Sequence, residues 1–210
     1  MSKGVLIVLE GIDGSGKRTL VSLLANMLQE KGVGNVVYSY PDYGSEYGKI
    51  IKMFLDEKIE LNVTAQFLLY LLDIVKDQER VVADLNRGLV VMMDRYFPAT
   101  IAYQCAGGFN YEVAKQMVKL VELPMPNLLF YIEVPVEASF ARKKAQKGTV
   151  DRFEKDRLFQ TQVAENYLRL CEENFPAEWV KFDGTERPEK LAKKLYATVT
   201  NLLKRAEAKP

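Results

Sequence analysis

The sequence predicts an α/β fold: a five-stranded parallel sheet between two layers of helices, a three-layer α/β/α sandwich. Three observations carry this. Short, wholly apolar, β-branched runs alternate with amphipathic helical patterns, as in a parallel sheet buried on both faces. The first such run feeds a glycine loop that opens a helix. No repeat, low-complexity tract or Ser/Gly-rich linker divides the 210 residues, which suits a single domain over 1–210.

The first strand is Val5 to Leu9. Glu10-Gly11-Ile12-Asp13-Gly14-Ser15-Gly16-Lys17 follows it, in the pattern of a phosphate-binding loop. The glycines let backbone N–H groups turn toward an anion, and the next helix points its positive end at the same place. Lys17 is placed to reach the β- and γ-phosphates of a nucleotide. Arg18 stands where this pattern has a Ser or Thr hydroxyl for magnesium; Thr19 comes one residue late, on another side of the helix. That helix, over 16–31, carries Leu20, Leu23, Leu24, Met27 and Leu28 on one face and stops at Gly32.

Val36 to Tyr40 read as the second strand. Pro41 ends it, and the loop through Tyr43 to Ser45 lies at its C-terminal end, where open α/β sheets bind ligands. A helix over 46–55 precedes one long helix over 63–86, closed by Gly88. Phe67, Leu68, Tyr70, Leu71, Leu72, Ile74 and Val75 make it apolar on more than one face. Either part of it packs on a second subunit, or it is buried within its own domain. The third strand, Leu89 to Met93, ends in Asp94-Arg95-Tyr96. An apolar strand ending in Asp resembles the second acidic motif of P-loop enzymes, whose carboxylate orders a magnesium shell.

Ala99 to Gly108 carry Thr100, Tyr103, Gln104 and a Gly-Gly turn. Asn110 caps a helix reaching about Leu123, closed by Pro124 and Pro126. Leu128 to Glu133 form the fourth strand, and Pro135 opens a further helix. A helix over 153–174, a fifth strand at Val180 to Phe182 and a last amphipathic helix over 187–205 complete the chain.

Composition narrows the chemistry. The formal charge is +1, which argues against a partner that is a nucleic-acid polymer read over a broad basic surface. The chain has no histidine, which removes histidine triads, bases and metal ligands. Cys105 and Cys171 have neither metal nor disulfide spacing and are expected as buried thiols in a reducing compartment. No run of about 18 apolar residues and no signal peptide is present, so a soluble, cytoplasmic protein without membrane contact is expected.

One stretch breaks the even charge. Arg142 to Arg152, with Lys143, Lys144 and Lys147, is dense in cations. It reads either as a solvated helix end or as a mobile lid over 142–152 that brings cations over bound phosphates. The lid reading is adopted, because phosphoryl transfer needs such a cation and no other stretch is as basic.

At this point the chain resembles the thymidylate kinases, a branch of the P-loop nucleoside-monophosphate kinases, over nearly its whole length. Five pieces carry the resemblance: the loop 10–17, Tyr40-Pro41, Asp94-Arg95-Tyr96, Ala102-Tyr103-Gln104 and Asp151-Arg152-Phe153-Glu154. The resemblance implies a P-loop kinase fold with a small basic lid, a homodimer, and transfer of the γ-phosphoryl of ATP to dTMP with Mg2+, giving dTDP and ADP for dTTP synthesis. It implies an ATP site of Gly11, Ile12, Asp13, Gly14, Ser15, Gly16, Lys17, Arg18 and Thr19, with Arg142 and Lys147 from the lid. It implies an acceptor site of Asp13, Tyr40, Tyr43, Tyr70, Arg95, Thr100, Tyr103 and Gln104, with Tyr70 stacked on thymine. Lys17, Asp13, Arg95 and Arg152 would be catalytic, and Asp13, Asp94 and Glu10 would hold or order the metal. Family members carry a catalytic arginine in the glycine loop or in the lid; Gly14 occupies the loop position here, which implies the lid type. The chain departs from the family at Arg18, at Asp42 and Ile74 where arginines are common, and at Ala99 and Thr100 where a Ser-rich pair is common. All but Arg18 concern the acceptor. A kinase for another nucleoside monophosphate such as dUMP, or a catalytically weak nucleotide-binding protein, are the alternatives.

Overall fold

The computed structural model describes residues 4–145 and 151–207. Strands β1 (Val5–Glu10), β2 (Asn35–Ser39), β3 (Val90–Asp94), β4 (Leu128–Glu133) and β5 (Trp179–Asp183) form one sheet in the order β2-β3-β1-β4-β5. Every pairing is parallel, with Val5 beside Val90 and Ile7 beside Leu128.

The wholly apolar character of β1 follows from its place. All six of its residues are buried. Because side chains alternate along a strand, Val5, Ile7 and Leu9 meet α1 (Lys17–Glu30) and α9 (Pro188–Glu207) on one face. Leu6 and Val8 meet the layer of α3 (Val63–Val75), α5 (Phe97–Ala106), α6 (Tyr111–Leu120) and α8 (Arg157–Glu172) on the other. This is the predicted three-layer sandwich. With β3 on one side of β1 and β4 on the other, the order of the strands switches sides there and leaves a crevice at the C-terminal ends of the strands.

The predicted long helix over 63–86 is two helices, α3 and α4 (Gln78–Asn86). In a continuous helix the Asp77 amide would donate to the Asp73 carbonyl. Lys76 Nζ takes that carbonyl at 2.7 Å, and the Asp77 amide turns to Ile74 O at 3.2 Å. Lys76 also pairs with Asp77 at 2.7 Å and with Asp73 at 3.1 Å, so a local polar cluster replaces one step of the ladder. The helix expected from 153 starts at Arg157 instead. Asp151 Oδ1 accepts from the amides of Phe153 and Glu154 and holds a turn there, and Asp156 then caps α8 by accepting from the Phe159 amide. The stretch 99–106 is helical within α5, with Pro98 in its first turn, and Gly107-Gly108 form the turn that closes it.

Helices α2 (Glu46–Leu55) and α7 (Val136–Ala145) complete the described elements. Cys105 and Cys171 are unpaired and half-buried, and burial pushes both thiols up to about 12. No helix among the described residues is long and apolar enough to cross a membrane.

Candidate active site

The glycine loop lies between β1 and α1, as its sequence requires. Gly14 has φ 72°, a left-handed backbone, and a Cβ there would stand 2.9 Å from the Ser139 carbonyl oxygen on α7. Position 14 is therefore closed to a side chain by backbone on two counts. The Ser139 hydroxyl donates to the Asp13 carbonyl, and Arg142 Nη1 reaches the Gly14 carbonyl at 3.3 Å. Donors from α7 thus hold loop carbonyls on the outside of the turn, which leaves loop N–H groups for an anion.

Lys17 is buried, and its ammonium donates to Gly11 O at 2.8 Å, Ile12 O at 2.9 Å and Ser15 Oγ at 3.1 Å. Burial, with the nearby Arg95 charge, pushes it down to about 7 against the opposing pull of Asp94, Asp13 and Glu10. The cavity beside it is lined by Asp13, Gly14, Gly16, Lys17, Arg18, Thr19, Asp94, Arg95 and Lys143. Thr19, expected on another side of the helix, is on the wall of this cavity. An adjoining groove runs from Gly14, Gly16 and Thr19 past Arg142 to Thr185, Arg187 and Pro188, and Arg142 Nη2 donates to Gly184 O at 2.8 Å.

A second, more enclosed pocket opens on the other side of Asp13. Tyr40, Pro41, Tyr43, Tyr70, Ile74, Arg95, Thr100 and Tyr103 line it, with Leu55, Asp151 and Phe153. Asp13 and Arg95 line both this pocket and the loop cavity. They touch: Arg95 Nη2 is 2.6 Å from Asp13 Oδ1, and Tyr103 OH donates to Asp13 Oδ2 at 2.7 Å. Burial alone would raise the Asp13 carboxyl, but Arg95 and Lys17 overcome it and hold it down at about 2. Arg95 itself sits at φ 70°, a left-handed backbone uncommon for a side-chain-bearing residue and typical of functional turns.

Several expected residues lie elsewhere. Glu10 is fully buried behind the loop: Oε1 accepts from the Tyr96 amide at 2.9 Å and Oε2 from Tyr167 OH at 2.8 Å, and it lines neither cavity. Gln104 lies fully buried one turn beyond Thr100, outside the pocket lining, and neither amide atom has a hydrogen-bond partner among the described residues. Arg152 is turned away from the glycine loop. It pairs with both carboxylate oxygens of Glu60, at 2.7 and 2.6 Å, and its guanidinium lies 4.3 Å from the centre of the Phe54 ring. Lys147 is outside the described residues.

Other residues join the site without having been expected. Gln160 Nε2 is 3.3 Å from Asp13 Oδ2, and Phe153 packs on Tyr103 with ring centres 5.9 Å apart. Lys143, expected among the lid cations, pairs with Glu154 beside Gly14.

The donor set suits magnesium held by one carboxylate and substrate phosphates, the usual manner for that ion. Asp94 lines the loop cavity, whereas both oxygens of Asp13 and of Glu10 are already engaged. Among the described residues no group of three or more acidic, Cys or His side chains forms a dedicated metal cage.

Comparison with known proteins gives the family. A family model described as thymidylate kinase matches residues 9–195. A Pyrococcus horikoshii protein described as "Probable thymidylate kinase" is 36% identical over 176 residues, covering 81% of this chain and 84% of its own. A Carboxydothermus hydrogenoformans thymidylate kinase is 32% identical over 194 residues (90% and 93%), and one from Thermomicrobium roseum 30% over 207 (97% and 98%). With the glycine loop, the acidic end of β3 and the enclosed pocket arranged in one crevice, the chain belongs to the thymidylate kinase family.

Proposed function

We propose that the protein is a dTMP kinase, transferring the γ-phosphoryl of ATP to the 5′-phosphate of dTMP to give dTDP and ADP in dTTP synthesis. One observation carries the reading beyond family membership: the phosphate cavity and the enclosed pocket share Asp13 and Arg95. A site for transfer between two phosphates needs such a junction, with a cation standing where negative charge converges.

The donor phosphates lie along the loop N–H groups of residues 11–19, with Lys17 turning from its own loop carbonyls to the β- and γ-phosphates. The ATP base lies in the groove between Arg142 and the Gly184–Pro188 turn. In the acceptor pocket Tyr70 stacks on the base, Thr100 meets its polar edge and Tyr103 closes against the sugar. Gln104, whose buried amide has no hydrogen-bond partner among the described residues, lies near the polar edge of the base. Tyr40 and Tyr43 flank the acceptor phosphate. An oxygen of that phosphate attacks the γ-phosphorus as the bond to the β-phosphate oxygen breaks. The attacking group is already an anion, so no general base is needed, in keeping with a chain that lacks histidine. Arg95 neutralises the charge gathering between the two phosphates, and Asp13 fixes its guanidinium. Magnesium, held through Asp94, would offset charge on the donor phosphates. Arg152 joins the reaction centre by leaving Glu60.

Leu68 and Leu72 form an exposed apolar strip on α3, which supports a homodimer through that helix. A cytoplasmic location fits the unpaired thiols.

The test is ADP release from ATP and magnesium, scanned over dTMP, dUMP, UMP, CMP, AMP and GMP. dTMP should be preferred. Release that no monophosphate stimulates would sink the kinase reading, and preference for another acceptor would sink only the thymine assignment. Ile74, buried on the pocket wall where the family commonly has arginine, gives a second handle. Ile74→Arg should lower the KM for dTMP.

A further inference from the structure

The guanidinium of Arg95 is held from behind by a buried chain of hydrogen bonds that reaches two residues outside both cavities. Arg95 Nη1 donates to Gly11 O at 3.0 Å and to Tyr167 OH at 3.2 Å. Tyr167 OH is 2.8 Å from Glu10 Oε2. A phenol has one proton. Arg95 can only donate, so the phenol's lone pair serves Arg95 and its proton serves Glu10. The chain therefore has one direction: guanidinium to phenol to carboxylate. When Glu10 is ionised, its carboxylate polarises the phenol and makes it a better acceptor for Arg95.

Glu10 also controls the Arg95 backbone. Its other oxygen accepts from the amide of Tyr96, the next residue, while the Arg95 amide donates to Leu9 O at 3.0 Å. The left-handed turn at Arg95 is thus tied on both sides to the end of β1. Tyr167 and Glu10 are completely buried, and the Tyr167 ring packs on Tyr131 with centres 5.4 Å apart. Nothing but this chain gives the Tyr167 hydroxyl a partner among the described residues.

We propose that Tyr167 and Glu10 are positioning residues for phosphoryl transfer, which fix the Arg95 guanidinium at the junction of the two cavities. The inference rests on the role given to Arg95 above. Neither residue touches substrate; both act through Arg95.

A double-mutant cycle tests this. Tyr167→Phe keeps the ring and removes the hydroxyl. It should lower kcat roughly tenfold, the effect of losing one hydrogen bond to a charged group, with the KM for ATP within about twofold. In an Arg95→Lys background the same change should alter kcat by less than about twofold, since its effect runs through the guanidinium. Equal losses in both backgrounds, or a Tyr167→Phe enzyme as active as the parent beside a crippled Arg95→Lys, would overturn the inference while leaving the kinase reading intact. An Arg95→Lys enzyme of parental activity would overturn the role of Arg95 and the inference together. Thermal melting of each variant separates a packing loss from a positioning loss. Should Tyr167→Phe not fold, Glu10→Gln goes through the same cycle: non-additivity with Arg95→Lys supports the inference, and equal losses in both backgrounds overturn it.

Discussion

Arg95 Nη2 and Asp13 Oδ1, 2.6 Å apart, join the end of β3 to the glycine loop after β1. Both side chains are largely withdrawn from water, at 14% and 22% exposure. Breaking such a pair from one side strands the other charge. Arg95→Met should therefore cost about 3–5 kcal/mol of stability at pH 7, besides abolishing turnover. The pH dependence has a definite sign. The Asp13 carboxyl, ordinarily near 3.8, is held at about 2 by Arg95 and Lys17 against the burial that would raise it. Its contribution is present above its unfolded value and is lost only as pH falls toward 2. Without Arg95, burial has the stronger hand, the carboxyl is raised instead of lowered, and acidification then relieves its cost. Urea unfolding from pH 2 to pH 6 should show the parent losing this stability on acidification and the variant not losing it. Matching acid limbs in the two proteins would count against the pairing.

Gly14 explains why a loop arginine is absent here. Its Cβ would meet the Ser139 carbonyl, and its backbone is left-handed. Even Gly14→Ala should cost about 1–2 kcal/mol from the backbone alone, and Gly14→Arg more, because α7 must move. Loss of the Ser139 and Arg142 contacts to the loop should weaken ATP binding as well. Calorimetric titration with a non-hydrolysable ATP analogue checks this. Affinity unchanged in Gly14→Ala would show that α7 does not set the loop.

What was legible in the sequence was local. The three inner strands β1, β3 and β4 are apolar up to their last residue because both their faces are covered, and the glycine loop announces itself in eight consecutive residues. The pairing of Asp13, Arg95 and Tyr103 came into view only through the order of family motifs, since chain distance hides it. Ser139, Gln160 and Tyr167 were not legible at all. Each lies on a helical face that reads as core, and each reaches its partner across more than 120 residues. The break at Asp77 was hidden for the opposite reason. Asp73, Lys76 and Asp77 carry the charges that normally support a helix, and only the capture of one carbonyl by Lys76 interrupts it.

The Arg152–Glu60 pair separates two uses of the same arginine. The pair is exposed on the Glu60 side, at 77%, so solvent screens it and it adds little to stability. Glu60→Gln should therefore leave stability nearly unchanged. If Arg152 leaves Glu60 to reach the phosphates, the same change should raise kcat modestly. Arg152→Met should lower kcat by about tenfold or more while sparing the fold. A Glu60→Gln enzyme as slow as Arg152→Met would show that the arginine serves where it stands, clasping the segment after α7 to the link between α2 and α3.

Two buried groups at the ends of the glycine loop, Glu10 and Lys17, contribute opposite limbs to the pH response of the protein measured without nucleotide. Burial pushes the Glu10 carboxyl up from 4.5 to about 7, more than Arg95, Tyr167, Tyr96 and Lys17 can lower it. Burial pushes the Lys17 ammonium down from 10.5 to about 7. Between pH 4.5 and 7 the folded chain keeps a proton on Glu10 that the unfolded chain has lost, so stability falls as pH rises. Asp151, which burial raises from 3.8 to about 6, adds to that fall. Between pH 7 and 10.5 the unfolded chain keeps a proton on Lys17 that the folded chain has lost, so stability rises with pH. The two limbs together predict a minimum near pH 7 rather than the usual maximum. Urea midpoints at pH 5, 7 and 9.5 should trace this shape. Glu10→Gln should flatten the acid limb and Lys17→Met the alkaline one. A midpoint that peaks at pH 7 in the parent protein would show that neither group carries its charge cost in the folded loop.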